Sequence, residues 1–187
     1  MKTMLNRLRR TPRRWQARAD EGQSQIEFIL SILTIMFTIF WTWEVVLAVY
    51  TYNVLSDAAK EGVRYAIVHG SNNCYPSGGA TAQSSCGSVT APTLCNGRSP
   101  NPAPDNSTSC TGANLSACNN VAWTVGCYAQ LSLHDISGMT ITTNWPDASL
   151  NTAGSKVNIV VSYKYVPFLA LPITPTLTTA SQGRVVN

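Results

Sequence analysis

The sequence predicts an α+β protein. A long N-terminal transmembrane helix extends into a small antiparallel β-sheet head that carries a disulfide-stapled loop insert. Three observations carry this. From Ile26 to about Tyr50 the chain is apolar, interrupted only by Glu27 and Glu44. All six cysteines lie beyond that run. Near the C-terminus Val157, Ile159, Val161, Tyr163 and Tyr165 alternate with Asn158, Val160, Ser162 and Lys164, the period of a strand with one wet face.

The first segment, 1–22, is a basic leader. It holds seven basic residues (Lys2, Arg7, Arg9, Arg10, Arg13, Arg14 and Arg18) against Asp20 and Glu21, a net charge of +5. The remaining residues hold six basic and seven acidic groups, a net −1, so the formal +4 of the chain belongs to the leader. Nucleic-acid binding would need Lys and Arg spread over a folded face, and the body lacks them. The leader reads instead as an orientation signal, which keeps the N-terminus cytoplasmic and sends the C-terminal part outward. Residues 1–20 are expected to be disordered.

Residues 23–50 form the predicted membrane span. About 20 apolar residues cross a bilayer, and this run exceeds a signal-peptide core. Ser24 is a candidate helix cap, with Glu27 three residues on as its capping-box partner. Glu44 lies about 25 Å from Glu27 along a helix. It is read as an interfacial residue flanked by Trp41 and Trp43, with a protein contact as the alternative.

Residues 51–69 continue the helix outside the membrane. There is no proline, and Tyr52, Leu55, Ala59, Val63, Ala66 and Ile67 recur at helical spacing. Asp57 with Lys60, and Glu61 with Arg64, form i,i+3 pairs on the wet side. Gly62 weakens a helix by about 1 kcal/mol relative to alanine, yet permits close packing. His69-Gly70 supplies the stop. A helix from 24 to 68 would be about 67 Å long.

Residues 70–120 are rich in Gly, Ser, Asn, Pro, Thr and Cys, a composition that buries too little apolar surface to order itself. The disulfide candidates are Cys74, Cys86, Cys95, Cys110, Cys118 and Cys127. An even number in an exported segment favours three bridges, whose connectivity the spacing leaves open. No C-x-x-C pair supports zinc.

Residues 121–187 are expected to be a β-rich head and tail. Val121, Trp123, Val125 and Cys127 alternate with Ala122, Thr124 and Gly126 and are read as a strand. Tyr128 to Asp135 is a candidate strand, and Met139 to Thr143 alternates too. Asn151 to Gly154 is turn chemistry. The tail Val166 to Pro175 is apolar but broken by Pro167, Pro172 and Pro175. It cannot be a second span and is read as a return along the head toward the membrane. Thr176 to Ser181 reads as a short last strand.

Nothing in the chain reads as catalytic. His69 and His134 are the two histidines. His134-Asp135 has no nucleophile in a recognisable setting such as G-x-S-x-G. No phosphate loop, paired-carboxylate signature, metal centre, cofactor site or small-molecule substrate site is expected.

Two stretches carry a resemblance. Gly22-Gln23-Ser24-Gln25-Ile26-Glu27-Phe28, between the basic leader and the apolar helix, resembles a prepilin processing site. Asp57-Ala58-Ala59-Lys60-Glu61-Gly62-Val63-Arg64-Tyr65-Ala66 is similar to the segment that follows the span in TadE-like proteins, the minor pilins or pseudopilins of tight-adherence (Tad/Flp, type IVc) pili. The strand Val157–Tyr165 followed by Pro167-Phe168-Leu169 is similar to that family's C-terminus. The resemblance covers about 23–68 specifically and 156–187 loosely, and the cysteine insert departs from it. It implies cleavage between Gly22 and Gln23 by a prepilin peptidase. It also implies an assembly role for Glu27, at the fifth mature position and beside Phe28, pairing with a neighbour's terminal ammonium.

The resulting expectation is a non-enzymatic subunit anchored in the bacterial inner membrane. Its partners would be the membrane, other pilins and Tad apparatus proteins, and the prepilin peptidase. The alternative is an uncleaved bitopic anchor presenting a disulfide-stapled binding head.

Overall fold

The structure, a computed structural model, describes residues 13–70, 77, 109–147, 151–169 and 174–186. Helix α1 spans Arg13–Val68, followed by β1 (Ser109–Thr111), a 3-10 segment (Gly112–Ala117), α2 (Asn120–Gln130), β2 (Met139–Asn144), β3 (Lys156–Lys164) and β4 (Thr176–Arg184). The chain divides into two units, Met1–Val45 and Val46–Asn187.

In the second unit the four strands form one antiparallel sheet in the order β1-β2-β3-β4. The register explains the alternation in the sequence. Ile141, Val161 and Thr179 are aligned across β2, β3 and β4, and so are Thr143, Ile159 and Ser181. Five of those six are buried, Ser181 being half-buried, and Met139 and Val157 extend the same face. The opposite face carries Thr140, Ser162 and Thr178 in one row, and Ser162 and Thr178 share a hydroxyl hydrogen bond of 3.2 Å. A two-residue period with one polar face therefore specifies both strand and register.

The dry face packs against the C-terminal part of α1 and against α2. Leu55, Ala58, Ala59, Val63 and Ala66 of α1 join Val121, Val125, Ile141, Ile159 and Val161 in one core. The buried stripe of α1 differs from the expected one at its start. Tyr52 is exposed, while Thr51, Val54 and Ala58 are buried. Gly62 sits where α1 meets both α2 and β3. A Cβ there would collide with Val125 Cγ2 and stand 3.0 Å from Ile159 Cδ1 and 3.6 Å from Val121 Cγ1. The predicted outward pairs form, Lys60 Nζ to Asp57 at 3.0 Å and Arg64 to Glu61 at 3.1 Å, both exposed. Such pairs contribute only about 0.2–1 kcal/mol.

Helix α1 ends at Val68, as the His69-Gly70 stop predicts. The His69 N–H donates to Tyr65 O at 3.0 Å, and the two rings stack with centroids 4.0 Å apart. Val186 N–H donates to Ile67 O at 3.0 Å, tying the end of β4 to the end of α1. The Asn151–Gly154 turn forms between Asn144 and β3, with Gly154 at φ 87° in the left-handed region that glycine adopts freely.

Three expectations are corrected. First, Val121 to Cys127 is helix, not strand. Asn119 caps α2, its side chain accepting the Ala122 N–H at 2.7 Å, which satisfies one of the orphan donors of a helix start. Ala122 and Gly126, read as the other face of a strand, are buried along with Val121 and Val125. Second, Tyr128 to Asp135 adds no strand. Its first residues finish α2, and Leu133 N–H donates to Ala129 O at 2.8 Å in the turn that follows. Third, α1 does not start at Ser24. It is already helical from Arg13, so Ser24 is not a cap, Glu27 is not its capping-box partner, and 13–20 is helix rather than disordered chain.

Residues 109–120, placed within the insert by sequence, are ordered into β1, the 3-10 segment and the start of α2. Cys110 and Cys118 form a disulfide across this region, and Cys127 of α2 is disulfide-bonded as well. The candidates Cys74, Cys86 and Cys95 lie outside the described residues. The last strand extends beyond Ser181 to Arg184.

Candidate functional site: the exposed apolar helix and its flanking motifs

The first unit presents the N-terminal part of α1. From Ile26 to Val45 every large apolar side chain is exposed, on all sides of the helix, including Phe28, Leu33, Phe37, Phe40, Trp41 and Trp43. In water such a surface is unfavourable at about 25 cal/mol per Å². By length and composition Gly22–Val68 is a candidate membrane-spanning helix, the one found among the described residues.

Polar groups in this stretch turn inward on the helix itself. Ser31 Oγ donates to Glu27 O at 2.9 Å, Thr34 Oγ1 to Leu30 O at 2.9 Å, Thr38 Oγ1 to Ile35 O at 2.7 Å and Thr42 Oγ1 to Thr38 O at 2.8 Å. These bonds satisfy hydroxyls without water, the condition for placing them among hydrocarbon chains. Phe37 and Trp41 stack at 6.2 Å.

Gly22 and Gln23 lie inside regular helix and are exposed. Nothing stands within 4 Å of a Cβ built on Gly22. Glu27 and Phe28 are exposed one turn further on. Glu44 differs. It is 8% exposed, while Trp43 and Val45 beside it are exposed. Glu44 is therefore buried rather than an open residue.

The second motif has a structural explanation. Ala58, Ala59, Gly62 and Ala66 form the buried seam of α1, and Lys60 and Arg64 point outward, with Glu61 half-buried beside them. Small residues at this seam let helix α1 approach α2 and the sheet closely. The motif thus joins the long helix to its head, and it is separated along the chain from Gly22–Phe28.

Among the described residues no three His, Cys, Asp or Glu side chains are grouped to hold a metal ion. Asp135 accepts the Ser137 N–H at 2.8 Å, a local turn contact that lowers its pKa below the ordinary carboxylate value. Tyr163 is pushed above the ordinary phenol value by burial and then by the Asp135 charge, and its hydroxyl donates to Asp135 O at 3.0 Å. The hydroxyl-to-carbonyl bonds of Ser31, Thr34, Thr38 and Thr42 are the site feature that reading the sequence missed; Ser and Thr inside an otherwise apolar helical run, each within reach of a carbonyl three or four residues back, were their signal. Comparison with known proteins finds no matching family model, no matching curated protein and no matching solved structure.

Proposed function

We propose that this chain is a non-enzymatic, membrane-anchored minor pilin or assembly subunit of a Tad-type pilus. In this reading the apolar part of α1 spans the bacterial inner membrane, the +5 leader stays cytoplasmic, and the disulfide-bearing head lies outside. The supporting observation is the combination within one helix. Its large apolar side chains are exposed all round from Ile26 to Val45, and further on it buries the small-residue seam of a TadE-like motif in a β-sheet head.

Glu27 has the chemistry for assembly in this reading. Its side chain is exposed at the start of the apolar run. An ammonium about 4 Å away would gain about 4 kcal/mol at an effective dielectric near 20. Pairing also offsets the penalty of holding either charge in lipid. A neighbour's Gln23 amino terminus, released by cleavage after Gly22, supplies such an ammonium.

The second reading, an uncleaved bitopic anchor presenting a binding head, is favoured by one observation: α1 runs unbroken from Arg13 through Gly22 and Gln23. The N-terminal mass of protein from cells with an active prepilin peptidase separates the two. The pilin reading expects a chain beginning at Gln23, loss of processing in Gly22→Leu, and reduced pilus assembly in Glu27→Gln with processing intact. An intact leader on wild-type protein rejects it in favour of the anchor.

A further inference from the structure

Beyond the span itself, we propose that one end of the head rests on the lipid surface, inserting Leu131, Val166 and Phe168 into the headgroup boundary. The inference rests on the reading that the apolar run of α1 crosses the bilayer. Everything else in it comes from the geometry of the second unit.

The antiparallel register brings the start of β2, the end of β3 and the start of β4 to one end of the sheet, where Met139, Tyr163 and Leu177 are aligned. Two connections leave from that end: the segment between α2 and β2, and the one between β3 and β4. They are tied together. Lys164 N–H donates to Gly138 O at 3.2 Å, Tyr165 N–H donates to Pro175 O at 3.0 Å, and the Tyr163 hydroxyl holds Asp135 O. On these connections Leu131 is 78% exposed, Val166 69% and Phe168 78%.

Helix α1 shows which way this end faces. Its C-terminal turn is fixed to the opposite end of the sheet by the Val186 N–H bond to Ile67 O, and Gly183 lies against Val63 and Ile67. Gly62 lies against Ile159, nearer the middle of the strand. Moving back along α1 therefore moves toward the start of β4. From Gly183 to Leu177 a strand covers about 20 Å. A helix covers that distance in about 13 residues, which leads from Val63 to Tyr50. Tyr50 is where the apolar run ends. The exposed connections thus stand level with the point at which α1 would leave the bilayer. Of the exposed large apolar side chains of α1 in this unit, Val46, Val49, Tyr50 and Tyr52 lie toward this end, and Val68 lies at the opposite one.

The chemistry fits an interface rather than a span. Pro167 and Pro175 prevent a second helix, and an isolated apolar loop can sink only about 5–10 Å, to the headgroup and acyl boundary. His134, Asp135 and Lys164 are exposed on the same connections, a polar rim suited to headgroups.

The test places the photoreactive residue p-benzoylphenylalanine singly at Leu131, Phe168, Leu33 and Val186 of the full chain. Each protein is reconstituted in vesicles of phosphatidylethanolamine and phosphatidylglycerol, and adducts are identified by mass spectrometry. Leu33 lies in the apolar run. Val186 is 75% exposed at the opposite end of the sheet and serves as the control. The expected result is lipid adducts at 33, 131 and 168 in yields several-fold above that at 186. Adducts at 33 with only control-level yields at 131 and 168 overturn the docking proposal and leave the span intact. No adduct at 33 rejects the membrane reading and the docking with it. Equal yields at 168 and 186, or adducts at 168 only to a second copy of the chain, also overturn it.

Discussion

Alanine at Gly62 should destabilise the head, although the same change in an open helix is stabilising by about 1 kcal/mol. The new methyl group would collide with Val125 Cγ2 and stand 3.0 Å from Ile159 Cδ1. Neither neighbour yields easily. Both are fully buried, and a β-branched side chain in a helix has one strongly preferred χ1. Overpacking of this kind is destabilising by about 1–3 kcal/mol. Subtracting the helix gain leaves up to about 2 kcal/mol, or up to about 6 °C in Tm for a unit of this size. The assay is thermal unfolding of the full chain in detergent, followed by near-UV circular dichroism. A second variant tests the cause. Val125→Ala alone lowers stability by about 2–3 kcal/mol, but it removes the colliding methyl. In that background Gly62→Ala should change sign and become stabilising. A rise in Tm for Gly62→Ala in the wild-type background would refute the close packing of α1 on α2.

Three further outcomes follow from the head. Thr143 Oγ1 is buried on the dry face of β2 with no hydrogen-bond partner among the described residues, so Thr143→Val should raise stability by about 1 kcal/mol in denaturant unfolding. The Cys110–Cys118 bridge closes a separation of 8 residues, and replacing both by serine should lower stability by about 2–3 kcal/mol by the chain-entropy relation. The raised pKa of Tyr163 means that its neutral form is favoured in the folded state. That contribution is fully present below the unfolded value of 10.0 and is lost as pH rises through the folded value. An ultraviolet titration should show a tyrosine ionising late in the native protein, and Tyr163→Phe should remove it.

The strands β2 and β3 were legible because each has one wet face. Thr140, Asn158 and Ser162 break the apolar run at every second position, and only a strand does that. Helix α2 was not legible because it is buried on most sides. Ala122, Val121, Trp123, Val125, Gly126 and Cys127 are all buried, so the polar positions that would reveal a helical period are nearly missing. The trace that remains is Thr124, Tyr128 and Leu131, the less buried positions, spaced at four and three. Asn119 was the other clue, a capping residue at the right place. The start of α1 was misplaced because Ser24 is a good cap, yet the arginines before it are good helix formers and the helix extends through them. The motif at Asp57–Ala66 was visible as a pattern, and the packing explains it through its small residues. Gly22 to Phe28 was visible only as a resemblance. Its geometry is that of plain helix, which leaves its role to chemistry outside the chain.

The tie between Val186 and Ile67, with Gly183 against Val63, has a consequence for the order of events during synthesis. The apolar seam of α1 from Leu55 to Ala66 is made early. The strands that cover it are made last, with β4 closing at Arg184, more than a hundred residues later. At about 5–20 residues per second, the seam stays uncovered for on the order of ten seconds. Over that interval the short-range Cys110–Cys118 bridge can close, because its loop needs no other part of the head. Helix α2 and strands β2 and β3 cover the seam in turn, and the sheet is completed when the final strand has emerged. Newly made chains therefore carry a hydrophobic seam on α1 that stays at least partly open until the sheet is complete.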